Sequence, residues 1–464
     1  MNTIDIQDNI MLLTDSYKVS HYRQLPPGIQ YAMSFFESRG GRYPSTVFFG
    51  LQYLIKKYLM GVVITEEKIL EAKELLAEHF NDATLFNESG WRRMLEKHQG
   101  RLPIEIKAVL EGTIVPTSNV LVTVVNTDPE FPWLTNYVET LLVQLWYPTT
   151  VATQSWNMKR TIREYLEETG TPELLDFKLH DFGYRGSTSV ESAGIGGLAH
   201  LVNFQGTDTL RAIQAGRTYY HIRMAGNSIP AAEHFTVTSW GRDREADSYR
   251  NMLTQYPKAY LAVVSDSYDI YHACKDIWGQ DLKEAVLARD GVLVIRPDSG
   301  DPLVVLPKLL DILAERFGYT TNGKGFKVLH DKIRLIQGDG INYLTVGAIL
   351  EALKLAGWSA DNIAFGSGGG LLQELNRDTQ KFAFKCCAVQ IGDDWHDVLK
   401  DPVTDPGKRS KAGRLILVRD DNGYRTATET ESETCGENLL VPVFRDGELL
   451  VDQTFADIRM RAAV

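Results

Sequence analysis

The spacing of apolar and polar positions predicts a mixed α+β layer in the first part of the chain. Residues 65–79, rich in Glu, Lys, Leu and Ala, and residues 137–146 repeat their apolar side chains with the period of a helix. Residues 104–110 alternate apolar and polar positions as a half-buried strand does, and residues 119–125 form a second candidate strand. We therefore expect helices and strands together over residues 1–170.

Beyond about residue 175 the pattern becomes a repeated unit of strand, polar or glycine-bearing loop, and helix. The candidate strands begin near Phe177, Leu201, Leu261, Val292, Ile333 and Ile363, with weaker candidates near Ile229 and Phe382. Such a unit implies parallel strands with helices outside. About seven or eight of them most naturally close into a barrel whose active site lies at the C-terminal strand ends. An open doubly wound sheet is the structural alternative.

Strand patterns return near the C-terminus, at residues 414–418 and 439–443. We expect them to rejoin the N-terminal layer. The predicted fold class is therefore α/β: an irregular α/β barrel over residues 171–385, plus a discontinuous mixed α+β domain built from residues 1–170 and 386–464.

Charge and composition exclude several classes of protein. A net charge of −11 argues against a nucleic-acid surface, which needs a basic face, although it leaves room for a local basic pocket. No apolar run is long enough to cross a membrane, and the polar N-terminus lacks the features of a signal peptide. The four cysteines are too few and too irregular for a disulfide framework or a zinc site. We expect a cytoplasmic protein.

Three loops after predicted strands are rich in glycine, at residues 297–300, 338–340 and 366–370. Glycines at a strand-to-helix turn let backbone N–H groups approach an anion, and the helix N-terminus adds positive potential. A single loop of this kind is weak evidence for an anion site, because tight turns use glycine anyway. Three at equivalent strand ends predict a phosphate site.

Asp266, Asp298 and Asp339 occupy corresponding places after three of these strands. Such carboxylates can hold ribose hydroxyls or a hydrated Mg²⁺, which prefers a few carboxylates plus substrate phosphates. An Asp after a strand also commonly caps the next helix. Asp266 fits the cap and the site equally well, whereas the glycine-bearing loops of Asp298 and Asp339 favour a site.

Other candidate residues have ordinary structural explanations on composition alone. His234 lies in a small, apolar stretch, where a lone histidine more often makes a structural hydrogen bond. Phe182 and Tyr17 could stack on a heterocycle, although aromatic residues usually belong to the core. Residues 400–411 form a basic loop of the kind that is usually solvated, and Arg39, Arg377 and Lys385 are basic residues that a fold could gather with it.

Four longer motifs carry a resemblance to a known family. They are Leu-Leu-Thr-Asp-Ser-Tyr-Lys at residues 12–18, Lys-Leu-His-Asp-Phe-Gly-Tyr-Arg at 178–185, Phe-Gln-Gly-Thr-Asp-Thr at 204–209 and Ala-Ala-Glu-His at 231–234. The chain resembles the nicotinamide phosphoribosyltransferases of the type II phosphoribosyltransferase family almost to its C-terminus. The resemblance implies a homodimer with shared active sites, formation of nicotinamide mononucleotide and pyrophosphate from nicotinamide and phosphoribosyl pyrophosphate, and NAD salvage.

The resemblance also assigns the nicotinamide pocket. It implies that Phe182 stacks on one ring face, that Tyr17 of the other subunit covers the second face, and that Arg185 lies beside the ring. It also implies that Asp208 accepts a hydrogen bond from the carboxamide N–H. In the family an Asp here separates nicotinamide users from nicotinate users, because a carboxylate accepts from an amide and repels nicotinate's charge.

For the other substrates the resemblance implies two further sets of contacts. The ribose and its 5′-phosphate are held by Arg296, Asp298, Gly338, Asp339, Gly368 and Gly369. The pyrophosphate is reached from the partner subunit by Arg39, Arg377, Lys385, Lys400 and Lys408. The resemblance further implies that ATP phosphorylates His234, with Glu233 and Asp266 orienting the imidazole or helping to place Mg²⁺; no direct Mg²⁺ ligand is assigned.

Two departures from the family pattern concern the pyrophosphate region. The loop over residues 39–48 is shorter than in animal members, and Ala383 stands where those members carry a serine. The nearest alternative function is the sister enzyme that uses nicotinate, which Asp208 disfavours. A binding or signalling protein with a dead site is disfavoured by intact Asp208, His234, Arg296 and Asp298.

Overall fold

The computed structural model describes residues 8–405, 408–421, 423–431 and 436–463. Its strands are, in chain order, β1 Ile29–Ser38, β2 Ser45–Val47, β3 Ile104–Ala108, β4 Ile114–Pro116, β5 Val120–Asn126, β6 Leu179–Asp181, β7 Gly206–Thr207, β8 Lys258–Val264, β9 Asp290–Arg296, β10 Tyr319–Thr321, β11 Lys327–Leu329, β12 Ile333–Gln337, β13 Ile363–Ser367, β14 Phe382–Ile391, β15 Asp394–Asp397, β16 Leu415–Asp420, β17 Gly423–Thr428, β18 Val441–Arg445 and β19 Glu448–Leu449.

The α-helices are, in chain order, α1 Leu51–Leu54, α2 Glu66–Phe80, α3 Glu88–His98, α4 Leu134–Tyr137, α5 Glu139–Val143, α6 Trp146–Thr169, α7 Val190–Leu201, α8 Leu210–Tyr220, α9 His234–Thr238, α10 Glu245–Gln255, α11 Ile270–His272, α12 Lys283–Ala288, α13 Pro302–Phe317, α14 Thr345–Leu355, α15 Gly369–Leu372 and α16 Phe455–Arg461. In the part of the chain described, no helix is long and apolar enough to cross a membrane.

One compact unit, unit 1, contains the chain up to Thr153, Thr218–Ile222 and Asn376–Ala462. Its main sheet is antiparallel, in the order β15-β14-β1-β5-β3-β18-β19. The C-terminal strand β18 pairs with β3, and β14 pairs with β1. The predicted discontinuous α+β domain built from both ends of the chain is therefore confirmed.

Several local predictions hold in unit 1. Strand β3 buries alternate residues, as its sequence pattern indicates. Helix α2 begins after Thr65, whose hydroxyl accepts a hydrogen bond from the Lys68 amide at 3.3 Å. The helical pattern over residues 137–146 is also confirmed, but it is divided among three helices: the last residue of α4, the whole of α5 and the first residue of α6. Pro148 is tolerated in α6 because it lies in the first turn.

The strand predicted near Phe382 exists, but it does not belong to the barrel. It is β14, which runs antiparallel to β1, and its Phe382 ring stacks on Phe36 with centroids 4.9 Å apart. An apolar run predicts a strand without specifying its partner, which explains the wrong placement.

The second compact unit, unit 2, contains Gln154–Arg217 and Arg223–Leu375 together with the C-terminus. Its sheet is parallel, in the order β7-β6-β13-β12-β9-β8. Residues 227–231 hydrogen-bond to both edges: Asn227 N–H donates to Gln205 O at 2.7 Å, and Ala262 N–H donates to Pro230 O at 2.9 Å. This segment, near the weak candidate Ile229, completes an irregular barrel and confirms the predicted class.

The strand predicted near Leu201 is wrong, because Leu201 is the last residue of helix α7 and β7 begins only at Gly206. Helix α7 is buried along most of its length, so its run of apolar and small residues has no polar face to reveal a helical period.

Both faces of the barrel strands are apolar, as expected for a parallel sheet covered by helices. Leu261, Leu293 and Leu335 belong to a large buried cluster that includes residues of α13 and α14. A smaller cluster is formed by Ala262, Val294 and Ile336, the next residue along each strand, with Phe182 and Ala364 packed against it. Strand alternation therefore assigns this smaller cluster to the barrel interior, below the ends of the strands.

The two units divide at Thr153, which lies inside helix α6, and at Leu375. Each boundary expected from the sequence lies further along the chain than the observed one: residue 170 is compared with Thr153, and residue 385 with Leu375.

Candidate functional site

An aromatic ring occupies the C-terminal end of the barrel in unit 2. Phe182 follows β6, and its ring lies against Gly366 of β13 and Gly338 after β12. A Cβ atom on Gly366 would overlap ring atom Cε2 of Phe182, and one on Gly338 would lie 3.7 Å from it. Glycine at position 366 is therefore what allows this ring position.

Arg296 and Asp298 come next to that ring, at the end of β9. Arg296 Nη2 and Asp298 Oδ2 are 3.6 Å apart, and a Cβ atom on Gly338 would lie 3.1 Å from Asp298 Oδ1. Among the residues described, Arg296 Nε is buried with no hydrogen-bond partner. Because buried polar atoms are normally paired, this donor suits a ligand oxygen.

The acidic residues predicted in the barrel loops share one electrostatic environment. Burial raises the pKa of Asp298, and the nearby carboxylates of Asp266 and Asp339 act in the same direction. Arg296 and His234 oppose the rise. The structure thus brings these groups together at the strand ends, although the described residues contain no preformed metal-binding cluster of three or more such ligands.

The alternative role of these aspartates as helix caps does not hold. Asp269 caps α11, accepting hydrogen bonds from the Tyr271 and His272 amides, and Asp301 caps α13. The helix after Asp339, α14, begins at Thr345. None of Asp266, Asp298 and Asp339 is therefore the N-cap of the helix that follows it.

His234 is the first residue of α9, and its partner is Asp266. His234 Nε2 and Asp266 Oδ1 are 2.9 Å apart, while the Ser299 hydroxyl donates to Asp266 Oδ2 at 2.5 Å. The His234 side chain is 47% exposed and that of Asp266 only 4%, so a buried carboxylate holds an accessible imidazole. Ser299 was not predicted, because a serine beside a glycine is too common to single out.

Glu233 does not contact His234 through any hydrogen bond in the described structure. It is the N-cap of α9, and its amide donates to the Thr236 hydroxyl at 3.2 Å in a capping box. Its position therefore has a sufficient local explanation.

Asp208 follows β7 and is exposed. Its carboxylate accepts a hydrogen bond from the hydroxyl of Ser228, which lies on the segment that completes the barrel. The His180 side chain is close enough for the Asp208 charge to raise its pKa against the larger lowering caused by burial, and its ring lies 6.2 Å from that of Phe182. Asp208, His180 and Phe182 thus occupy neighbouring positions.

The remaining predicted residues of the barrel lie on its loops. Arg185 is exposed in the short 3₁₀ turn Tyr184–Gly186 after Phe182. Gly368 and Gly369 follow β13, and a Cβ atom on Gly368 would lie 3.4 Å from Phe182 O. The helix expected near Leu371 begins at Gly369 and ends after one turn at Leu372.

A cationic cavity of about 700 Å³ lies in unit 1. Its lining includes all five predicted pyrophosphate residues, which are Arg39, Arg377, Lys385, Lys400 and Lys408. Burial lowers the pKa of Lys385, with Arg39, Lys18 and Arg377 adding to that effect against Glu139. Among the described atoms, Arg39 Nη2 is buried without a hydrogen-bond partner. These features indicate an anion site.

Tyr17 also belongs to unit 1, in the 3₁₀ helix Ser16–Arg23. The residue is 59% exposed, and the centroid of its ring lies 5.0 Å from that of His21 in an edge contact. The adjacent Lys18 is anchored to Glu139 at 2.7 Å. Tyr17 is therefore an exposed aromatic residue on an anchored segment, which is unusual for a core residue.

Two family models match the chain. The one described as the nicotinate phosphoribosyltransferase family matches residues 177–448, and the one described as the N-terminal domain of nicotinamide phosphoribosyltransferase matches residues 9–106.

One relative supports the same family, and two solved structures share the fold. A relative from Xanthomonas campestris named nicotinamide phosphoribosyltransferase is 52% identical over 464 residues, covering 98% of either chain. The structure of nicotinate-nucleotide pyrophosphorylase from Pyrococcus furiosus has a TM-score of 0.62 at 15% identity, covering 100% of this chain and 97% of that one. Human nicotinic acid phosphoribosyltransferase has a TM-score of 0.57 at 15% identity, covering 97% and 93%. At such identity the likeness of these two structures shows the fold alone. The family models and the full-length identity show that the chain belongs to the nicotinate phosphoribosyltransferase family, within its nicotinamide phosphoribosyltransferase branch of pentosyltransferases.

Proposed function

We propose that this protein transfers the phosphoribosyl group of phosphoribosyl pyrophosphate to nicotinamide, giving nicotinamide mononucleotide and pyrophosphate in cytoplasmic NAD salvage. The observation that carries the proposal is the exposed Asp208 carboxylate beside Phe182 at the barrel end. The name of the Xanthomonas campestris relative supports the same reaction.

The choice of pyridine follows from the charge of Asp208. Nicotinamide offers an N–H₂ group that can donate to the carboxylate, whereas nicotinate brings a second negative charge and no donor. Ser228 donates to the same carboxylate and so restrains its orientation. We propose that the Phe182 ring stacks on the pyridine and that Arg185 lies beside it.

The reaction requires positioning and charge stabilisation more than proton transfer. The bond between ribose C1 and pyrophosphate loosens as the pyridine nitrogen attacks, and this nitrogen carries no proton, so no general base is needed. Arg296, Asp298, Asp339 and the glycine loops would hold the ribose and its 5′-phosphate. Negative charge that develops on the leaving pyrophosphate would be stabilised by the cationic cavity.

We propose a homodimer in which the cationic cavity and Tyr17 of one subunit complete the barrel site of its partner. Support comes from the exposure of Tyr17 and from Arg39 Nη2, a buried donor that no described residue satisfies.

ATP coupling through His234 and a requirement for Mg²⁺ complete the proposal. His234 is accessible and held by the buried carboxylate of Asp266, as a phosphoryl acceptor would need to be. Asp266, Asp298 and Asp339 fit a Mg²⁺ that is bound mainly by substrate phosphates, where the ion would neutralise phosphate charge.

The phosphohistidine proposal is tested with Mg-ATP. Wild type should acquire acid-labile phosphate, and the His234→Ala variant should acquire none, losing ATP stimulation while retaining ATP-independent turnover. Equal labelling of the two proteins would remove His234 from this role.

Steady-state turnover with each pyridine tests the overall reaction. The purified enzyme should form nicotinamide mononucleotide from nicotinamide, with much lower efficiency for nicotinate. A preference for nicotinate would identify the sister activity, and a folded protein without turnover on either would favour a binding role.

A further inference from the structure

The cationic cavity of unit 1 contains a lysine that the assigned pyrophosphate contacts do not include. Its cationic lining residues are Arg39, Arg377, Lys381, Lys385, Lys400 and Lys408, and its acidic lining residues are Glu139, Asp378 and Asp405. Basic residues therefore outnumber acidic ones here, in a chain whose net charge is −11. Such local reversal of charge is typical of an anion site.

Several of these cations already have partners within the protein. Arg39 pairs with Glu37 at 3.1 Å, Lys408 with Asp405 at 3.1 Å, and Lys385 donates to Phe384 O at 2.7 Å. The Lys381 ammonium forms no ion pair or hydrogen bond within the described part of the chain. Its charge is consequently available to a ligand.

The backbone holds Lys381 in an uncommon conformation at this place. Its φ of 47° lies in the left-handed region, which lysine rarely adopts. Hydrogen bonds restrain the residue from both sides: its N–H donates to Asp378 O at 3.2 Å, and its carbonyl accepts from the Arg39 N–H at 3.2 Å. The same bonds therefore fix Lys381 beside Arg39, whose Nη2 is a buried donor without a described partner. Unfavourable backbone conformations of this kind concentrate at ligand sites.

Ala383 lines the same cavity two residues further along. Its side chain is a methyl group, so it offers no hydrogen-bond donor to this wall of the cavity. We infer that Lys381 is a further pyrophosphate-binding residue, whose ammonium supplies the contact that the side chain at position 383 does not. This inference rests on the proposed function, because it takes the cavity as the pyrophosphate site.

The test replaces Lys381 in the full-length enzyme. Lys381→Asn removes the charge and keeps a residue that tolerates the left-handed region. Inorganic pyrophosphate binding, followed by calorimetry, should weaken about three- to tenfold, and the KM for phosphoribosyl pyrophosphate should rise by the same factor. The KM for nicotinamide should not change. Lys381→Arg should behave as wild type.

A second substitution tests the relation to Ala383. Ala383→Ser in the Lys381→Asn background should recover part of the lost pyrophosphate affinity, whereas the same change in wild type should have a smaller effect. If the effects of the two substitutions on pyrophosphate affinity are additive, the Lys381 ammonium does not take the place of a hydroxyl at position 383.

Two controls separate this inference from the proposed function. Lys275→Asn removes an exposed lysine in unit 2 and should leave pyrophosphate binding intact. Lys385→Ala should weaken binding. If Lys385→Ala weakens binding and a folded Lys381→Asn variant does not, the inference is wrong while the cavity keeps its role. If neither changes binding, both the inference and the assignment of the cavity are wrong.

Discussion

At the scale of single residues, the candidate site requires glycines, whose missing side chains leave room for other groups, as well as particular side chains. Gly366 leaves the space that the Phe182 ring fills, and Gly338 lets Asp298 approach. Both glycines lie in loops or strand ends that the sequence marks as glycine-rich. Which ring would use the space could not be predicted from spacing, because Phe182 and Gly366 are distant in the chain.

Gly366→Ala tests this use of space. The added methyl should displace the Phe182 ring and raise the KM for nicotinamide about three- to tenfold, since aromatic stacking is worth ~0.5–1.5 kcal/mol. Gly347→Ala is the matched control, because its Cβ would approach no closer than 3.4 Å to Thr161. Equal nicotinamide KM values for the two variants would show that the ring position does not matter.

The hydroxyls of Ser228 and Ser299 show why part of the site escaped prediction. Each donates to a predicted carboxylate, Asp208 or Asp266, that is 20 or 33 residues away in sequence. Serine is common and has no fixed spacing to such partners. The predicted aspartates could be found because they follow strands, whereas the groups that orient them required the fold.

At the scale of elements, the alternation of apolar and polar positions predicted strands with one polar face, such as β3. The same kind of pattern gave a wrong prediction where an element is buried on nearly all sides. Helix α7 is the clearest case, since its glycines, alanines and His200 are all enclosed. His200 packs between elements of unit 2: its Nδ1 lies 2.9 Å from the Ser155 hydroxyl of α6 and its Nε2 3.2 Å from Leu179 O of β6. Burial lowers the pKa of His200 to about 3.

This histidine should contribute to acid sensitivity. Because its pKa is lower in the folded state than the ordinary value of 6.5, the unfolded chain binds the extra proton between about pH 6.5 and 3. The free energy of unfolding should therefore fall with decreasing pH over this range, by up to ~1.4 kcal/mol per pH unit from this group. Denaturant titrations at several pH values should show that the free energy of unfolding depends less steeply on pH in His200→Gln than in wild type. An equally steep pH dependence in both proteins would exclude His200 as a source of the acid sensitivity.

At the scale of the whole molecule, the irregular barrel and the discontinuous α+β domain were predictable because their strand patterns differ in type. The gathering of Arg39, Arg377, Lys385, Lys400 and Lys408 into one cavity was not predictable from composition, since basic loops are usually solvated. The family resemblance identified these residues, and the fold brings them together in unit 1. Lys381, which also lines this cavity, was not singled out from the sequence, because its left-handed backbone conformation cannot be predicted from the identity of a lysine.

Shared sites in a homodimer should be detectable by mixing variants. Tyr17→Ala and Asp298→Ala should each be nearly inactive as homodimers, whereas heterodimers should contain one intact site and regain activity. Subunit exchange is verified with differently tagged chains. Demonstrated exchange without any recovered turnover would contradict the shared-site proposal.

The most direct test of the central claim is the ratio of kcat/KM for nicotinamide to kcat/KM for nicotinate, measured for wild type and Asp208→Asn. A charge-assisted hydrogen bond contributes ~1.5–3 kcal/mol, and repulsion of nicotinate adds to it, so the wild-type ratio should reach about two orders of magnitude or more. Asp208→Asn should lower the ratio steeply by weakening nicotinamide use and admitting nicotinate. An unchanged ratio in a well-folded Asp208→Asn variant would contradict the account.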